Sequence, residues 1–203
     1  MTMLRKIYFS LGFLMVFCLS SQAVAAEASA RQVVEAFQDK LIEVMKQGKD
    51  LGFKGRYDKL DAAVKSSHDL PKIARIVVGK QWEELTPEQQ AKLEDVFSEL
   101  SVSAYAHNFK EYSGESFSFV SEEETGRGGV VVHTNLKIPG EKDVKFDYMM
   151  KKKDDSWQII NIIADGVSDL ALKRSDYTSV LNRDGFDQLI AKINEKIESY
   201  AKQ

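Results

Sequence analysis

The sequence predicts a single α+β domain in which helices pack against an antiparallel sheet. Apolar residues first recur with the 3.6-residue period of a helix, and the period changes to two after Tyr112. Helical spacing then returns from Val167 to the end of the chain. Four consecutive strands joined by short turns favour an antiparallel meander over a parallel nucleotide-binding sheet. We therefore expect a four-stranded sheet with about six helices.

Four helices are predicted before the sheet. Apolar spacing alone predicts the first two, over 33–45 and 51–67. Asp69 stands two residues before Pro71, and this arrangement of N-cap and early proline begins a third helix. Thr86-Pro87-Glu88-Gln89 is a capping box that begins the fourth. We therefore expect four consecutive helices before the first strand.

Alternation of apolar and polar residues predicts the strands that follow. They are expected over 116–121, 130–138, 144–151 and 157–164. Gly126-Arg127-Gly128-Gly129 lies between two strands and no helix follows it, so a hairpin turn is favoured over a phosphate-binding loop. Two further helices, 167–182 and 186–200, complete the domain.

The first 26 residues have the pattern of a cleaved secretory signal peptide. Arg5 and Lys6 precede an apolar run over 7–19, and Ala23-Val24-Ala25 supplies a small-residue cleavage site. The run is shorter than the roughly 20 residues of a membrane span, which disfavours an uncleaved anchor. We expect residues 1–26 to be removed and residues 27–203 to form one periplasmic domain.

Charge and cysteine content narrow the function classes. The chain has 28 basic and 31 acidic residues, a net charge of −3, and one cysteine. Loss of residues 1–26 removes two basic residues and Cys18, which leaves a net charge of −5 and no thiol. A cysteine-free exported domain depends on its apolar core rather than on disulfides. An acidic chain also lacks the basic footprint of a general nucleic-acid-binding protein.

The usual catalytic signatures are not found in the sequence. His68, His107 and His133 are far apart and show no zinc-binding spacing. His68 beside Asp69 remains open as an acid/base pair, although the capping role of Asp69 is favoured. We therefore expect no catalytic residue, no metal ligand and no cofactor, and we expect the protein not to be an enzyme.

The fourth strand is unusually apolar. Over 159–163, only Asn161 is polar, whereas an antiparallel sheet normally exposes one polar face. This strand is therefore either covered on both faces or turned toward an internal cavity. From the residues alone, ordinary core is the favoured interpretation.

An ordered set of motifs runs through most of the predicted mature chain, beginning with Asp69-Leu70-Pro71-Lys72-Ile73-Ala74-Arg75, followed by Val78-Gly79 and Trp82. These residues are similar to the D-x-x-x-I-A-R…G-x-x-W signature of the MlaC family of periplasmic lipid carriers, also called toluene-tolerance proteins. The likeness continues at 86–90, Tyr105, 112–115, Trp157, 166–168, Arg174-Ser175, Tyr177 and 185–190. Where many members have Asn-Tyr-Arg or a similar sequence before Arg-Ser, this chain has Leu170-Ala171-Leu172-Lys173. Together with Asp165-Gly166-Val167-Ser168-Asp169, this version looks more like the hopanoid-associated branch (HpnM).

The resemblance implies a fold and a function together. Helices would wrap a curved sheet around an apolar cavity that takes acyl tails, whose exposure to water costs about 0.8 kcal/mol per CH₂. A monomeric carrier would then shuttle a phospholipid, or a hopanoid-related lipid, between membrane complexes. The implied partners are an inner-membrane ABC transporter with its MCE-type subunit or an RND-type hopanoid transporter, and an outer-membrane lipoprotein complex.

Strand alternation and two helix faces give the residues expected to line such a cavity. They are Ile73, Ile76, Val77, Phe97, Leu100, Val132, Phe146, Tyr148, Trp157, Ile159 and Ile163. Arg75 and Arg174 are candidates for a lipid head group, or alternatively for ion pairs with Asp69, Asp165 or Asp169. Two other functions remain open, a small enzyme with a cone-shaped cavity and an adaptor without a ligand.

Overall fold

The structure is a computed structural model that describes residues 27–202, and it confirms the α+β class. Within this part of the chain, the helices are α1 (Ala30–Lys46), α2 (Gly48–Ser67), α3 (Leu70–Val78), α4 (Pro87–Asn108), α5 (Asp169–Asp184) and α6 (Phe186–Ala201). A 3-10 helix, Gly79–Glu84, joins α3 to α4. The predicted signal peptide, 1–26, lies outside the described residues.

The sheet is an open antiparallel meander of five strands in chain order. The strands are β1 (Ser116–Thr125), β2 (Gly129–Lys137), β3 (Val144–Lys153), β4 (Ser156–Ala164) and β5 (Val167–Ser168). The predicted count of four was one short, because a two-residue strand is too short to show alternation. Helix α5, which was predicted to begin at Val167, begins at Asp169. The Ser168 side chain caps it by accepting a hydrogen bond from the Ala171 N–H at 3.1 Å.

The two helix starts that were predicted from capping residues are confirmed. Asp69 accepts a hydrogen bond from the Lys72 N–H at the start of α3. Thr86 and Gln89 form both bonds of a capping box at the start of α4. The N-terminal backbone of these helices therefore has hydrogen-bond partners supplied by its own sequence.

The turn between β1 and β2 is also as predicted. Gly128 adopts a φ of 65°, and its N–H donates to the Thr125 carbonyl at 3.2 Å. Glycine adopts this left-handed conformation without steric cost. The glycine-rich segment is thus a hairpin turn.

The helices cover one face of the sheet, which we call the inner face. α1, α2, α3 and α5 contact β4, and α1 also contacts β1 and β2. α4 packs against α2, α3 and α6. Inner-face side chains of β2 and β3, including Val132, Tyr148 and Met150, are almost fully buried. No helix among residues 27–202 is both long enough and apolar enough to cross a membrane.

A β-bulge in β4 alters the inner face. Met149 pairs with Asn161 and Met150 pairs with Ile159, which leaves Ile160 as an extra residue. Bulges bend a strand and re-aim its side chains. The apolar run that looked two-faced in the sequence therefore does not follow a simple alternation.

Candidate functional site

A pocket of about 400 Å³ lies between the inner face of β3 and β4 and the helices α4 and α5. Side chains of α1 and of the junction between α2 and α3 close it further. It is lined by Leu41, His68, Leu70, Ile73, Phe97, Ser101, Ala104, Tyr105, Asn108, Phe109, Phe146, Tyr148, Ile159, Ile160, Asn161, Ile162, Ala164, Val167, Asp169, Leu170, Leu172 and Lys173. The volume is in the range of ligand-binding pockets.

The sequence of α4 explains why space remains on its side of the pocket. Ser101 follows Phe97 by four residues, and Ala104 and Tyr105 follow Ser101 by three and four, so they share one helix face. Ser101 and Ala104 are small, and the Ser101 hydroxyl donates to the Phe97 carbonyl of its own helix at 2.8 Å. The small side chains in the middle of the stripe leave a gap opposite the sheet.

The β4 bulge shapes the opposite wall. Ile159, Ile160 and Ile162 all line the pocket. The backbone N–H of Asp69 donates to the Ile159 carbonyl at 3.0 Å, and this bond fixes the junction of α2 and α3 against β4. The wall is therefore both apolar and held in place by main-chain hydrogen bonding.

Asn161 connects the same strand to α5. Its side-chain oxygen accepts hydrogen bonds from the Ser168 hydroxyl and from the Leu170 N–H, each at 3.2 Å. The polar residue in the apolar run thus positions the first turn of α5 at the edge of the pocket. Its polar atoms are used within the protein.

Exposed apolar residues mark the mouth of the pocket. Val167 is 53% exposed and Leu172 is 60% exposed, although both line it. Beside them, the Lys173 ammonium donates to the Asp169 carboxylate. Charge is therefore concentrated at the mouth, where it remains in contact with water.

A buried histidine and a tyrosine form the main polar contact deeper in the pocket. His68 Nδ1 lies 3.1 Å from the Val64 carbonyl, which can only accept, so we assign the proton to Nδ1. Nε2, 2.9 Å from the Tyr105 hydroxyl, then accepts from that hydroxyl. Burial lowers the pKa of His68 to about 4, so the ring is neutral at pH 7.

A second polar chain lies beneath the pocket wall. Gln38 donates to the Thr134 hydroxyl at 2.9 Å, and this hydroxyl donates in turn to the Phe146 carbonyl at 3.4 Å. Burial raises the pKa of Tyr148, which keeps its phenol neutral. Because these polar groups have partners within the protein, the pocket offers a ligand mostly apolar surface.

The geometry favours binding over reaction at this site. Asp69 serves as the cap of α3 and accepts from the Lys153 ammonium at 3.4 Å, which supports its predicted structural role. Among the described residues, no group of three or more histidine, cysteine or acidic side chains is arranged to hold a metal ion. The arrangement can enclose an apolar group and leave a charged group at the mouth.

The structure brings five of the sequence-predicted residues to the pocket, namely Ile73, Phe97, Phe146, Tyr148 and Ile159. The other six do not line it, and they are Ile76, Val77, Leu100, Val132, Trp157 and Ile163.

Neighbouring elements explain the difference. On α3, Val77 is fully buried in the core and its carbonyl accepts from Thr178 of α5, whereas Ile73 faces the pocket. Ile163 pairs with Asp147, and both lie on the face of the sheet opposite Tyr148 and Ile162. Helical or strand spacing alone does not distinguish these positions.

The two arginines also lie outside the pocket lining. Arg75 forms an ion pair with Glu83 at 2.6 Å, not with the aspartates that the sequence suggested. A Cβ built on Gly79 would lie 3.2 Å from Nη2 of Arg174, so this guanidinium packs against the end of α3. Lys173 occupies the mouth instead.

Several lining residues were not predicted from the sequence. Ser101, Ala104 and Tyr105 share the helix face of Phe97, and small residues within an apolar stripe were the available signal. Leu170, Leu172 and Lys173 come from the start of α5. The available signal for them was that the resemblance described in the sequence analysis breaks at this segment.

Comparisons with known proteins agree with this architecture. A family model described as MlaC protein matches residues 35–195. The intermembrane phospholipid transport system binding protein MlaC of Haemophilus influenzae is 24% identical over 200 residues, which cover 95% of this chain and 93% of that protein. A solved structure of a phospholipid-binding protein from Ralstonia solanacearum, in complex with a phospholipid, has a TM-score of 0.76 and 22% identity, covering 86% of this chain and 99% of that one.

Proposed function

Because the chain belongs to the MlaC family, we propose that it is a lipid carrier that holds the acyl tails of a phospholipid in the pocket. The relatives described above are named as a transport-system binding protein and a phospholipid-binding protein, which agrees with the expectation that this chain is not an enzyme. The single observation that carries the proposal is the apolar pocket of about 400 Å³ with its charged mouth.

The physical basis is the cost of moving acyl chains through water. Each exposed CH₂ costs about 0.8 kcal/mol, so free diffusion of a two-tailed lipid is strongly disfavoured. A carrier that encloses the tails removes this cost and can leave the polar head in solvent. Of the residues first predicted from the sequence, Ile73, Phe97, Phe146, Tyr148 and Ile159 are the proposed tail contacts.

The cellular setting follows from the same proposal. Residues 1–26 direct export and are removed, and residues 27–203 act in the periplasm as one monomeric domain. The carrier passes lipid between an outer-membrane lipoprotein complex and an inner-membrane ABC transporter with its MCE-type subunit.

A hopanoid-related lipid is a second candidate cargo, with an RND-type transporter as the partner. One observation favours it: the Leu170-Ala171-Leu172-Lys173 segment, which resembles the hopanoid-associated branch, supplies Leu170, Leu172 and Lys173 to the pocket. A difference in cargo would therefore act through the side of the pocket formed by α5.

Lipid transfer between vesicles tests the proposal. Lipid-free protein, residues 27–203, is mixed with dense donor vesicles of deuterated phosphatidylethanolamine and with light unlabelled acceptor vesicles. We expect deuterated lipid in the protein fraction and a transfer rate proportional to protein concentration. Hopanoid-containing donors test the second cargo. Absence of labelled lipid from the protein fraction would contradict the carrier function.

A further inference from the structure

A second cavity lies next to the lipid pocket and shares part of its wall. This groove has a volume of about 620 Å³ and runs between α4, α5 and α6. It is lined by Leu100, Ala104, Leu172, Lys173, Asp176, Tyr177, Lys192, Glu195, Lys196, Ser199 and Tyr200. Ala104, Leu172 and Lys173 line both cavities, so the groove begins where the pocket ends.

The groove differs from the pocket in its charge. Its lining contains three ammonium groups, Lys173, Lys192 and Lys196, and two carboxylates, Asp176 and Glu195. In a chain with a net charge of −3, this is a local excess of positive charge. A polar ligand group is thus better accommodated in the groove than in the pocket.

The three lysines have different partners. Lys192 donates to Asp176, and Lys173 donates to Asp169 at the mouth of the pocket. Lys196 Nζ lies 4.6 Å from the centroid of the Tyr200 ring, and none of the ion pairs found among the described residues includes Lys196. Lys196 is therefore a cation held against the groove wall by an aromatic ring, with its charge available to a ligand.

We propose that this groove binds the phosphate of the lipid whose tails fill the pocket. The proposal rests on the carrier function proposed above and assigns the head group of the same ligand. As the head group leaves the mouth, Lys173 exchanges the Asp169 carboxylate for a phosphate oxygen, and Lys196 contacts the phosphate from α6. Ammonium groups are common phosphate ligands because they act as compact point charges with three donors.

The two carboxylates add a second element of recognition. Asp176 and Glu195 lie in the same groove as the lysines, so the ammonium of an ethanolamine head group can lie beside them. Phosphatidylethanolamine and phosphatidylglycerol both carry the phosphodiester that the groove is proposed to bind. The experiment below therefore uses both lipids.

A competition assay tests phosphate recognition separately from tail binding. Lipid-free protein is incubated with equimolar dioleoylphosphatidylethanolamine and dioleoylglycerol, which have the same tails but differ in the phosphate. Mass spectrometry then gives the ratio of the two lipids bound. A parallel arm replaces phosphatidylethanolamine with dioleoylphosphatidylglycerol.

The wild-type protein is expected to prefer the phospholipid in both arms. Lys173→Gln and Lys196→Gln should each lower the ratio of phospholipid to diacylglycerol by up to about fivefold, the upper range for an exposed ion pair. The matched control is Lys54→Gln on α2, which does not line the groove. It removes an ion pair with Asp58 that has the same i,i+4 spacing as the pair between Asp169 and Lys173. It should leave the ratio unchanged.

Other outcomes overturn the proposal in distinguishable ways. Uptake of both lipids with the same ratio in the wild-type protein and in the two groove variants overturns the head-group site but leaves the carrier function intact. A decrease confined to one phospholipid overturns recognition of the shared phosphate. Uptake of neither lipid by the wild-type protein overturns both the carrier function and the head-group site.

Discussion

Two groups of apolar residues, one in the packed core and the other around the pocket, have similar composition but differ in what lies opposite them. Val34, Leu60, Val64 and Val132, from α1, α2 and β2, are fully buried in the contiguous apolar core. Leu170 and Ile162 are only partly buried and line the pocket. We therefore expect the first group to stabilise the fold, and the second to contribute mainly to the complex with the proposed ligand.

The largest effect should come from shortening one leucine in each region. Leu60→Ala leaves a cavity in a fully buried site and should lower the free energy of unfolding by about 2–5 kcal/mol. Leu170→Ala enlarges an existing space, and we expect a loss of about 1 kcal/mol. Urea denaturation of the lipid-free proteins measures both. Equal losses would show that the pocket is packed like the core.

His68, where the core meets the pocket, should make stability depend on pH. Its folded pKa of about 4 lies below the ordinary value of 6.5, so the unfolded chain binds a proton more readily. This contribution is fully present above pH 6.5 and is lost as the pH falls toward 4, by about 3 kcal/mol in total.

Comparison with a variant isolates that contribution from the titration of carboxylates. The difference in unfolding free energy between the wild-type protein and His68→Gln should change between pH 6.5 and pH 4. Denaturant titrations at several pH values measure it. A pH-independent difference would mean that His68 is as accessible to protons in the folded protein as in the unfolded chain.

Ligand loading should stabilise the protein more than the partly buried pocket residue Leu170 does. At a free lipid concentration of 100 times Kd, binding adds about 2.7 kcal/mol, which corresponds to a rise in Tm of roughly 5–10 °C. Thermal denaturation of the loaded and delipidated protein measures the shift. The lipid content of both samples is measured first. Identical melting curves for the loaded and the delipidated protein would then contradict stabilisation of the folded state by bound lipid.

A small-to-large substitution should affect binding and leave the fold largely unchanged. Ala104→Phe places a ring in the gap on α4, and overpacking of about 1.4 kcal/mol in the complex weakens lipid binding tenfold. Ala62→Phe, at an exposed position on α2, is the control and should bind normally. Bound phosphate per protein measures the effect. A normal lipid content in Ala104→Phe would show that the acyl tails do not occupy the space beside Ala104.

The elements of the fold could largely be predicted because their signals are local. Asp69, Thr86 and Gly128 each specify a cap or a turn through their own backbone neighbours. The fifth strand could not be predicted, since Val167–Ser168 is recognisable only by its pairing with Ile163 and Ala164.

The pocket lining was less predictable because it depends on contacts between elements. Ile73 and Val77 lie on the same short helix, yet one faces the pocket and the other is packed in the core. The bulge at Ile160 also shifts the alternation on which strand-based predictions rely. An apolar pattern identifies residues that avoid water, but not whether protein or ligand covers them.

Extraction of lipid from the purified mature protein shows directly whether the protein carries a lipid. Residues 27–203, exported and purified without detergent, are extracted with organic solvent, and phosphate analysis and mass spectrometry identify the bound molecules. We expect a stoichiometric lipid with acyl tails, together with reuptake from vesicles after delipidation. Protein that carries no lipid and takes none from vesicles would contradict the carrier function.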